Sequence, residues 1–92
     1  MGITFVMVSD IPQGGVAAFQ EYEARVLPLL SRHGGHLERR LRGQDGLCEV
    51  HIVSFDDSSG YHAYMADPER QAHRKVLAGV DVVQRLLQVT DV

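Results

Sequence analysis

The sequence predicts an α+β domain in the order βαββαβ, in which four antiparallel strands form one sheet and two helices cover one of its faces. Strand-like runs occur near both ends of the chain, at Ile3–Val8 and Val83–Val89. Helical patterns at Val16–His33 and Ser58–Val80 enclose a charged hairpin at Gly35–Phe55. This order is the ferredoxin-like arrangement, and 92 residues leave room for a single domain, residues 1–92.

Composition excludes several classes of partner. Nine basic and twelve acidic residues give a formal charge of −3, which argues against nonspecific binding to nucleic acid or to an acidic membrane surface. No apolar run approaches the length that crosses a membrane, and no signal peptide is apparent. The lone cysteine, Cys48, excludes an internal disulfide and any cysteine-based metal spacing. We therefore expect a cytoplasmic protein with no nucleic-acid and no membrane partner.

Hydrophobic periodicity defines the first strand and the first helix. Ile3–Val8 is β-branched and apolar on both faces, which is typical of an inner strand covered on two sides. The helix that follows carries an apolar stripe, and Pro28 within it predicts a kink because proline removes a backbone hydrogen bond. Gly34–Gly35 ends this helix. The stripe consists of Val16, Phe19, Tyr22, Val26, Leu29, Leu30 and His33.

The hairpin turns at Gly43–Gly46 and carries charged side chains on both of its strands. If the pairing register places Arg40 opposite Glu49, then Glu38 faces His51, and both pairs stabilise the hairpin modestly. A loop of this length allows more than one register, so this pairing is one of several. Alternation along the strand sends Glu49 and His51 to the same face in any of them.

The second helical region is predicted to be broken. Asp56–Ser58 offers an N-cap for the first piece, and Asp67–Glu69 starts another helix with an aspartate cap, a first-position proline and an early acid. Val83–Val89 then closes the sheet. Because both helical regions lie on one face, the other face remains as a large apolar patch, which monomers seldom tolerate. The sequence therefore predicts a homodimer formed through that face.

Three segments of the chain carry a family resemblance: Tyr22–Gly35, Glu49–Asp56 and Tyr64–Glu69. They resemble the dimeric α/β-barrel superfamily, which includes small antibiotic-biosynthesis-type monooxygenases, muconolactone-isomerase-like proteins and haem-degrading monooxygenases. The resemblance covers nearly the whole chain. It implies homodimers in which two four-stranded sheets pack face to face. It also implies a pocket in each protomer between the sheet and its own helices.

Residues that the resemblance implies for two of these activities are missing from this chain. The resemblance implies a Trp and an Asn near the substrate of the cofactor-free monooxygenases, and this sequence contains neither residue type. Haem-degrading members carry a ligand histidine on the second helix, where this chain has His73, but they also use a Trp and an Asn. His33 and His36 flank a double glycine and have no third ligand at metal-binding spacing. We therefore expect no cofactor, no metal and no haem.

The candidate catalytic residues are His51 and Glu38. A carboxylate holds an imidazole in one tautomer and raises its basicity, which is what a general base needs. The alternative is a structural cross-strand pair at the dimer interface. The candidate ligand-binding residues offer hydroxyl or guanidinium groups, and the tyrosines among them equally suit packing of helix against sheet. They are Tyr22, Tyr61, Tyr64 and Arg40.

Two classes of function remain open at this point. The first is a cofactor-independent monooxygenase or isomerase that acts on a small hydrophobic, oxygenated compound, with His51 as the base, Glu38 orienting it and a tyrosine assisting. The second is a non-catalytic dimeric module that binds a ligand or is associated with stress. A water-accessible pocket that contains His51 favours the enzyme, whereas a filled interior with His51 in the dimer contact favours the module.

Overall fold

The computed structural model describes residues 2–92. The predicted elements occur in the predicted order, and the second helical region is divided into separate helices. Two short 3₁₀ segments follow the helical regions, at Leu27–His33 and Arg74–Leu77. The strands and helices are β1 (Ile3–Asp10), α1 (Val16–Val26), β2 (Gly35–Arg42), β3 (Cys48–Phe55), α2 (Ser58–Met65), α3 (Pro68–His73) and β4 (Val83–Val89).

The four strands form one antiparallel sheet in the order β2-β3-β1-β4, and the helices pack on one of its faces. The first strand pairs with both β3 and β4, so it is an inner strand, as its apolar sequence predicts. On β3, the other inner strand, Glu49, His51 and Phe55 face the helices and are almost fully buried. This arrangement confirms the predicted ferredoxin-like α+β fold.

The first helical region changes helix type at Val26, where the α-helix gives way to a 3₁₀ segment. Pro28 lies in the first turn of that segment and has no N–H group to continue the α-helical hydrogen bonds, so the predicted kink takes this form. Gly34 ends the segment with a left-handed φ of 69°. This left-handed conformation favours glycine, because other residues adopt it only with strain.

The predicted register of the hairpin is wrong. The structure pairs Arg40 with His51 rather than with Glu49. The register also shifts by one residue at Glu38, where β2 forms a bulge. Glu38 therefore lies on the face away from the helices, where its carboxylate accepts a 2.5 Å hydrogen bond from the hydroxyl of Ser54. The predicted contact between Glu38 and His51 does not form, because the sheet separates the two side chains.

Aromatic side chains dominate the core between the sheet and the helices. Tyr61 stacks on Phe5 with ring centroids 4.4 Å apart, and it meets Phe55 edge-on at 5.7 Å. Offset and edge-to-face contacts of this kind add to the stabilisation that comes from burying the rings. The buried apolar cluster of the core consists of Phe5, Leu29, Leu30, Phe55 and Tyr64.

The side chain of Asp67 joins α3 to the end of the first helical region. One carboxylate oxygen caps α3 by accepting the backbone N–H groups of Glu69 at 2.8 Å and Arg70 at 3.3 Å. The other oxygen lies 2.7 Å from His33 Nε2 and 3.1 Å from Arg32 Nη1. The hydrogen bond with His33 lowers the pKa of Asp67 to about 2. His33 therefore has a structural role as a hydrogen-bond partner of Asp67.

The sheet face opposite the helices has no covering layer among residues 2–92. Strand alternation places apolar side chains of all four strands on this face. Leu87 is 47% exposed and Leu41 is 39% exposed, so the patch meets solvent in a single chain. The face carries Val6, Val8, Leu41, Val50, Ile52, Leu87 and Val89.

Candidate functional site

A cavity of about 160 Å³ lies between the sheet and its own helices. Its walls are mostly apolar and aromatic, and the exposed side chains of Met65 and Leu86 lie in its lining, so it opens to solvent between α2 and β4. Besides three tyrosines, the lining contains one carboxyl group, one imidazole and one guanidinium, those of Glu23, His51 and Arg70. An apolar cavity with a few convergent polar groups is the usual form of a small-molecule site.

A buried charge network centred on Glu49 supports His51. The Glu49 side chain is 1% exposed; it accepts a 2.7 Å hydrogen bond from Arg40 Nε and a 3.1 Å bond from Arg42 Nε. Its Oε1 also lies 2.8 Å from Nε2 of His51. Burial alone would raise the pKa of Glu49, but the hydrogen bonds from the two arginines and His51 outweigh burial and lower it to about 2. Glu49 is therefore ionised at neutral pH.

His51 has one free ring nitrogen on the cavity side. The side chain is fully buried, and burial lowers its pKa, so the imidazole is neutral at pH 7. Because Nε2 faces the ionised Glu49, Nε2 carries the proton and donates it in the hydrogen bond. Nδ1 is then an acceptor, and it has no hydrogen-bond partner within residues 2–92. A buried acceptor without a partner is costly, so this nitrogen is suited to binding a donor.

Glu23 lies opposite that free nitrogen. Its Oε2 is 3.9 Å from Nδ1 of His51, which is too far for a direct hydrogen bond and close enough for one small adjustment or one bridging group. Burial raises the pKa of Glu23 from 4.5 to about 7. A carboxyl group with this pKa can take up and return a proton at neutral pH. Glu23 and His51 thus place a carboxyl group and an imidazole side by side in the wall of an apolar cavity.

Arg70, on α3, places a positive charge in the same lining. The guanidinium carbon lies 4.8 Å from the centre of the Tyr64 ring, which is a favourable cation–π distance. Its Nε and Nη1 are buried and have no hydrogen-bond partner in the part of the chain that the structure describes. The cavity therefore contains two groups that can accept a proton, Glu23 and His51. It also contains guanidinium N–H donors of Arg70 that have no acceptor within residues 2–92.

The three predicted ligand-binding tyrosines all line the cavity: Tyr22, Tyr61 and Tyr64. Burial raises the pKa of Tyr22 and of Tyr64, so both hydroxyls stay protonated at neutral pH. The hydroxyl of Tyr64 donates to the backbone oxygen of Val26 over 3.4 Å. The tyrosine rings thus pack helix against sheet where they line the cavity, and a ligand-binding role for them stays a prediction.

The two other predicted site residues lie elsewhere. Glu38 is on the far face of the sheet, and Arg40 is outside the cavity lining, with its hydrogen bonds directed to Glu49. The carboxylate–imidazole pair predicted for His51 does exist, but its carboxylate belongs to Glu49. Residues two apart in a strand point to the same face, so this pair follows from β3 alone and does not depend on the hairpin register.

Sequence reasoning missed Glu23 and Arg70. Glu23 carried a readable signal, because it lies four residues after Phe19 and three before Val26, on the apolar stripe of α1. A charged side chain is rarely buried without a specific partner, so its position on a buried stripe makes it a candidate for a functional role. Arg70 carried no comparable signal, since α3 is only six residues long and arginines are common on short surface helices.

Within residues 2–92, no cluster of three or more His, Cys, Asp or Glu side chains is arranged so that it could hold a metal ion. No helix in the same range is both long enough and apolar enough to cross a membrane.

No protein-family model matches the chain, and no curated protein matches its sequence. Solved structures do match it over nearly its whole length. SnoaB, a cofactor-independent oxygenase from Streptomyces nogalater, is 22% identical, with a TM-score of 0.76 over 99% of this chain and 95% of that one. A candidate antibiotic biosynthesis monooxygenase from Bacteroides thetaiotaomicron is 13% identical, with a TM-score of 0.82 over 98% and 89%.

Rv0793 from Mycobacterium tuberculosis gives a similar result, with 13% identity and a TM-score of 0.74 over 99% of this chain and 97% of that one. At identities this low, the structural matches establish a shared fold, and the activity has to be argued from the site. The resemblance predicted from sequence segments is confirmed at that level. The chain has the ferredoxin-like fold of the antibiotic-biosynthesis-monooxygenase-like proteins.

Proposed function

We propose that the protein is a cofactor-independent monooxygenase that acts on a small hydrophobic phenol or enol. The observation that carries this proposal is the Glu23–His51 pair, 3.9 Å apart in the wall of an apolar cavity. Oxygenation without a cofactor requires the substrate itself to become electron-rich by losing a proton. A carboxyl group whose pKa is about 7 is matched to that task at neutral pH. The shared fold with a cofactor-independent oxygenase supports the proposal.

The reaction begins with proton removal. The substrate ring packs against the aromatic lining, and its hydroxyl donates to the ionised Glu23. Glu23 takes the proton, and the free Nδ1 of His51 is the acceptor to which protonated Glu23 then donates. His51, the base predicted from the sequence, thereby shares the proton, and Glu49 stabilises the positive charge that develops on the imidazole. The apolar walls exclude water, which strengthens these interactions.

The deprotonated substrate then supplies both electrons to molecular oxygen. A ring carbon ortho or para to the ionised oxygen forms a bond to O₂, and the resulting peroxide anion takes the proton back from Glu23. Loss of the hydrogen on that carbon as a proton, together with cleavage of the O–O bond, forms a second C=O group. The departing hydroxide combines with that proton as water. A phenol and O₂ thus give a quinone and water, and the site returns to its starting state.

Oxygen uptake tests this reaction. With a panel of electron-rich phenols and naphthols, we expect the purified protein to consume one O₂ per substrate without any added cofactor. His51→Gln should keep the fold and lower the rate about 100-fold, because protonated Glu23 loses the imidazole nitrogen to which it donates. His62→Gln, on the exposed surface of α2, is the matched control and should leave the rate unchanged.

Other outcomes would favour the alternatives. Conversion of a substrate under argon, without O₂ uptake, would replace the monooxygenase by an isomerase that returns the proton to another carbon. Saturable binding with no conversion of any substrate in the panel would support the non-catalytic ligand-binding module. Equal rates for the wild type and His51→Gln would remove the proton-transfer pair from the mechanism.

We also propose that two copies associate through the uncovered sheet face. The apolar residues exposed there form a patch of the kind that folded proteins usually bury against a partner. Light scattering at micromolar concentration should give twice the chain mass of 10.2 kDa. Ile52→Lys, in the middle of this face, should shift the mass toward one chain, whereas Ala24→Lys on the exposed side of α1 should not. A wild-type protein of single-chain mass would contradict the proposal.

A further inference from the structure

The guanidinium of Arg70 is the least satisfied polar group of the cavity. Two of its nitrogens, Nε and Nη1, are buried without a hydrogen-bond partner within residues 2–92. A buried donor that is attached to a charged group is costly when it has no acceptor. The proposed proton transfer occupies Glu23 and His51 and makes no use of these donors. They are therefore free for a second contact with a ligand.

The charges of the lining favour an anion at this position. Arg70 contributes the positive charge, and Glu23 is the acidic group, which is about half neutral at pH 7 because burial raises its pKa. In the empty cavity, the positive charge of Arg70 therefore has no counter-charge in the described lining whenever Glu23 is neutral. A guanidinium with free donors is the side chain best suited to a carboxylate, since its hydrogen bonds to that group are charge-assisted.

The volume of the cavity limits the size of the ligand. An engineered cavity of about 150 Å³ in a protein core accommodates one benzene molecule. The cavity found in this chain, about 160 Å³, is therefore the size of one six-membered ring. Larger ring systems would have to extend past Met65 and Leu86 into solvent.

We propose that the ligand is a one-ring hydroxylated acid, whose carboxylate binds Arg70 and whose hydroxyl faces the Glu23–His51 pair. The proposal rests on the proposed function for the role of the hydroxyl, and it adds the charge and size of the substrate. Arg70 is then a specificity-determining residue: it selects acids over neutral phenols. The ring lies between the two polar ends, against the aromatic lining that includes Tyr61 and Tyr64.

Calorimetric binding of matched probes tests this inference. Phenol is compared with 2-, 3- and 4-hydroxybenzoate at pH 7, because each pair differs only by the carboxylate. For the wild type, we expect one of the three acids to bind about 10- to 100-fold more tightly than phenol. Arg70→Gln should abolish this preference, and Arg70→Lys should retain part of it because the charge remains. Arg25→Gln, which removes a charge from an exposed ion pair on α1, is the control and should keep the preference.

The outcomes separate this inference from the function on which it rests. Equal affinity for phenol and all three acids, no detectable binding of any probe, or a preference that survives Arg70→Gln would overturn the role of Arg70. A preference that depends on Arg70, combined with no oxygen uptake for any phenolic acid, would keep the anion site and overturn the monooxygenase. Oxygen uptake with neutral phenols alone would keep the monooxygenase and overturn the acid as its substrate.

Discussion

Glu23→Gln is expected to stabilise the protein by about 3 kcal/mol at pH 8 and to have little effect on stability at pH 4. Burial raises the pKa of Glu23 from 4.5 to about 7, so the folded protein retains a proton that the unfolded chain releases. Stability therefore falls as the pH rises from about 4.5 to about 7, and the full penalty is present above that range. Glutamine has the same shape and never ionises, so the variant avoids the penalty.

Urea unfolding of both proteins at a series of pH values measures this difference. Glu21→Gln is the matched control, because Glu21 lies on the exposed side of α1 and has a single partner, Arg25, at 2.7 Å. Its effect should stay within about 0.5 kcal/mol at every pH. Glu23→Gln should also lower the rate of oxygen uptake about 100-fold, since the base is gone. A gain of equal size at pH 4 and pH 8 would contradict the raised pKa.

Glu49→Ala is expected to have the opposite effect and to destabilise the protein by about 3 kcal/mol at pH 7. The substitution removes the acceptor of Arg40, Arg42 and His51 together, and the imidazole is left fully buried with both ring nitrogens unpaired. The arginines are partly exposed and regain water, which keeps the loss near the low end of the range for broken buried ion pairs.

Glu38→Ala is the control for Glu49→Ala. Glu38 is exposed and has one hydrogen bond, to Ser54, so its loss should cost less than about 1 kcal/mol in the same unfolding experiment. The pH dependence of the stability that Glu49 contributes is a second test. The pKa of Glu49 is lowered to about 2, so its contribution is present above pH 4.5 and declines as the pH falls toward 2. Equal losses for the two variants would contradict the observed register.

The fold could be predicted from the sequence because hydrophobic period and turn residues act locally. The pattern at Val16–His33 and the restart at Asp67–Glu69 each depend on neighbours within a few residues. The change to a 3₁₀ segment after Val26 needed only one further fact, that proline cannot donate a hydrogen bond. The elements and their order therefore followed from short-range chemistry.

The hairpin register could not be predicted in the same way. It depends on how the loop closes, with Gly43 N–H bonded to the backbone oxygen of Cys48 at 2.8 Å, and on a bulge at Glu38 that absorbs one residue. Neither the loop closure nor the bulge changes the hydrophobic alternation of the sequence, so neither can be predicted from that alternation. His51 was named as a candidate base, but the sequence left open whether it faces the cavity or the dimer contact. The carboxylate partner of His51 was predicted to be Glu38 on β2, because it was inferred from the pairing register. The structure shows that the partner is Glu49 on β3.

The resemblance implied a pocket between the sheet and its helices, but the polar side chains that line it could not be predicted from the sequence. Glu23 is recognisable as a charged residue on an apolar stripe, but its raised pKa depends on how completely α1 covers it. Arg70 reaches the cavity only because α3 is held against the end of the first helical region. Position in the fold, rather than residue type, gives both side chains their chemistry.

The attachment of α3 through Asp67 has a thermodynamic consequence for the cavity. Asp67 lies outside the cavity lining, yet it accepts the backbone N–H of Arg70 and is held in turn by His33. The backbone that carries the guanidinium is thus fixed before any ligand arrives, so the loss of its conformational entropy belongs to folding and not to association. A ligand that contacts Arg70 has only the side-chain rotamers left to order, and its affinity includes an entropic contribution from a residue that it never touches.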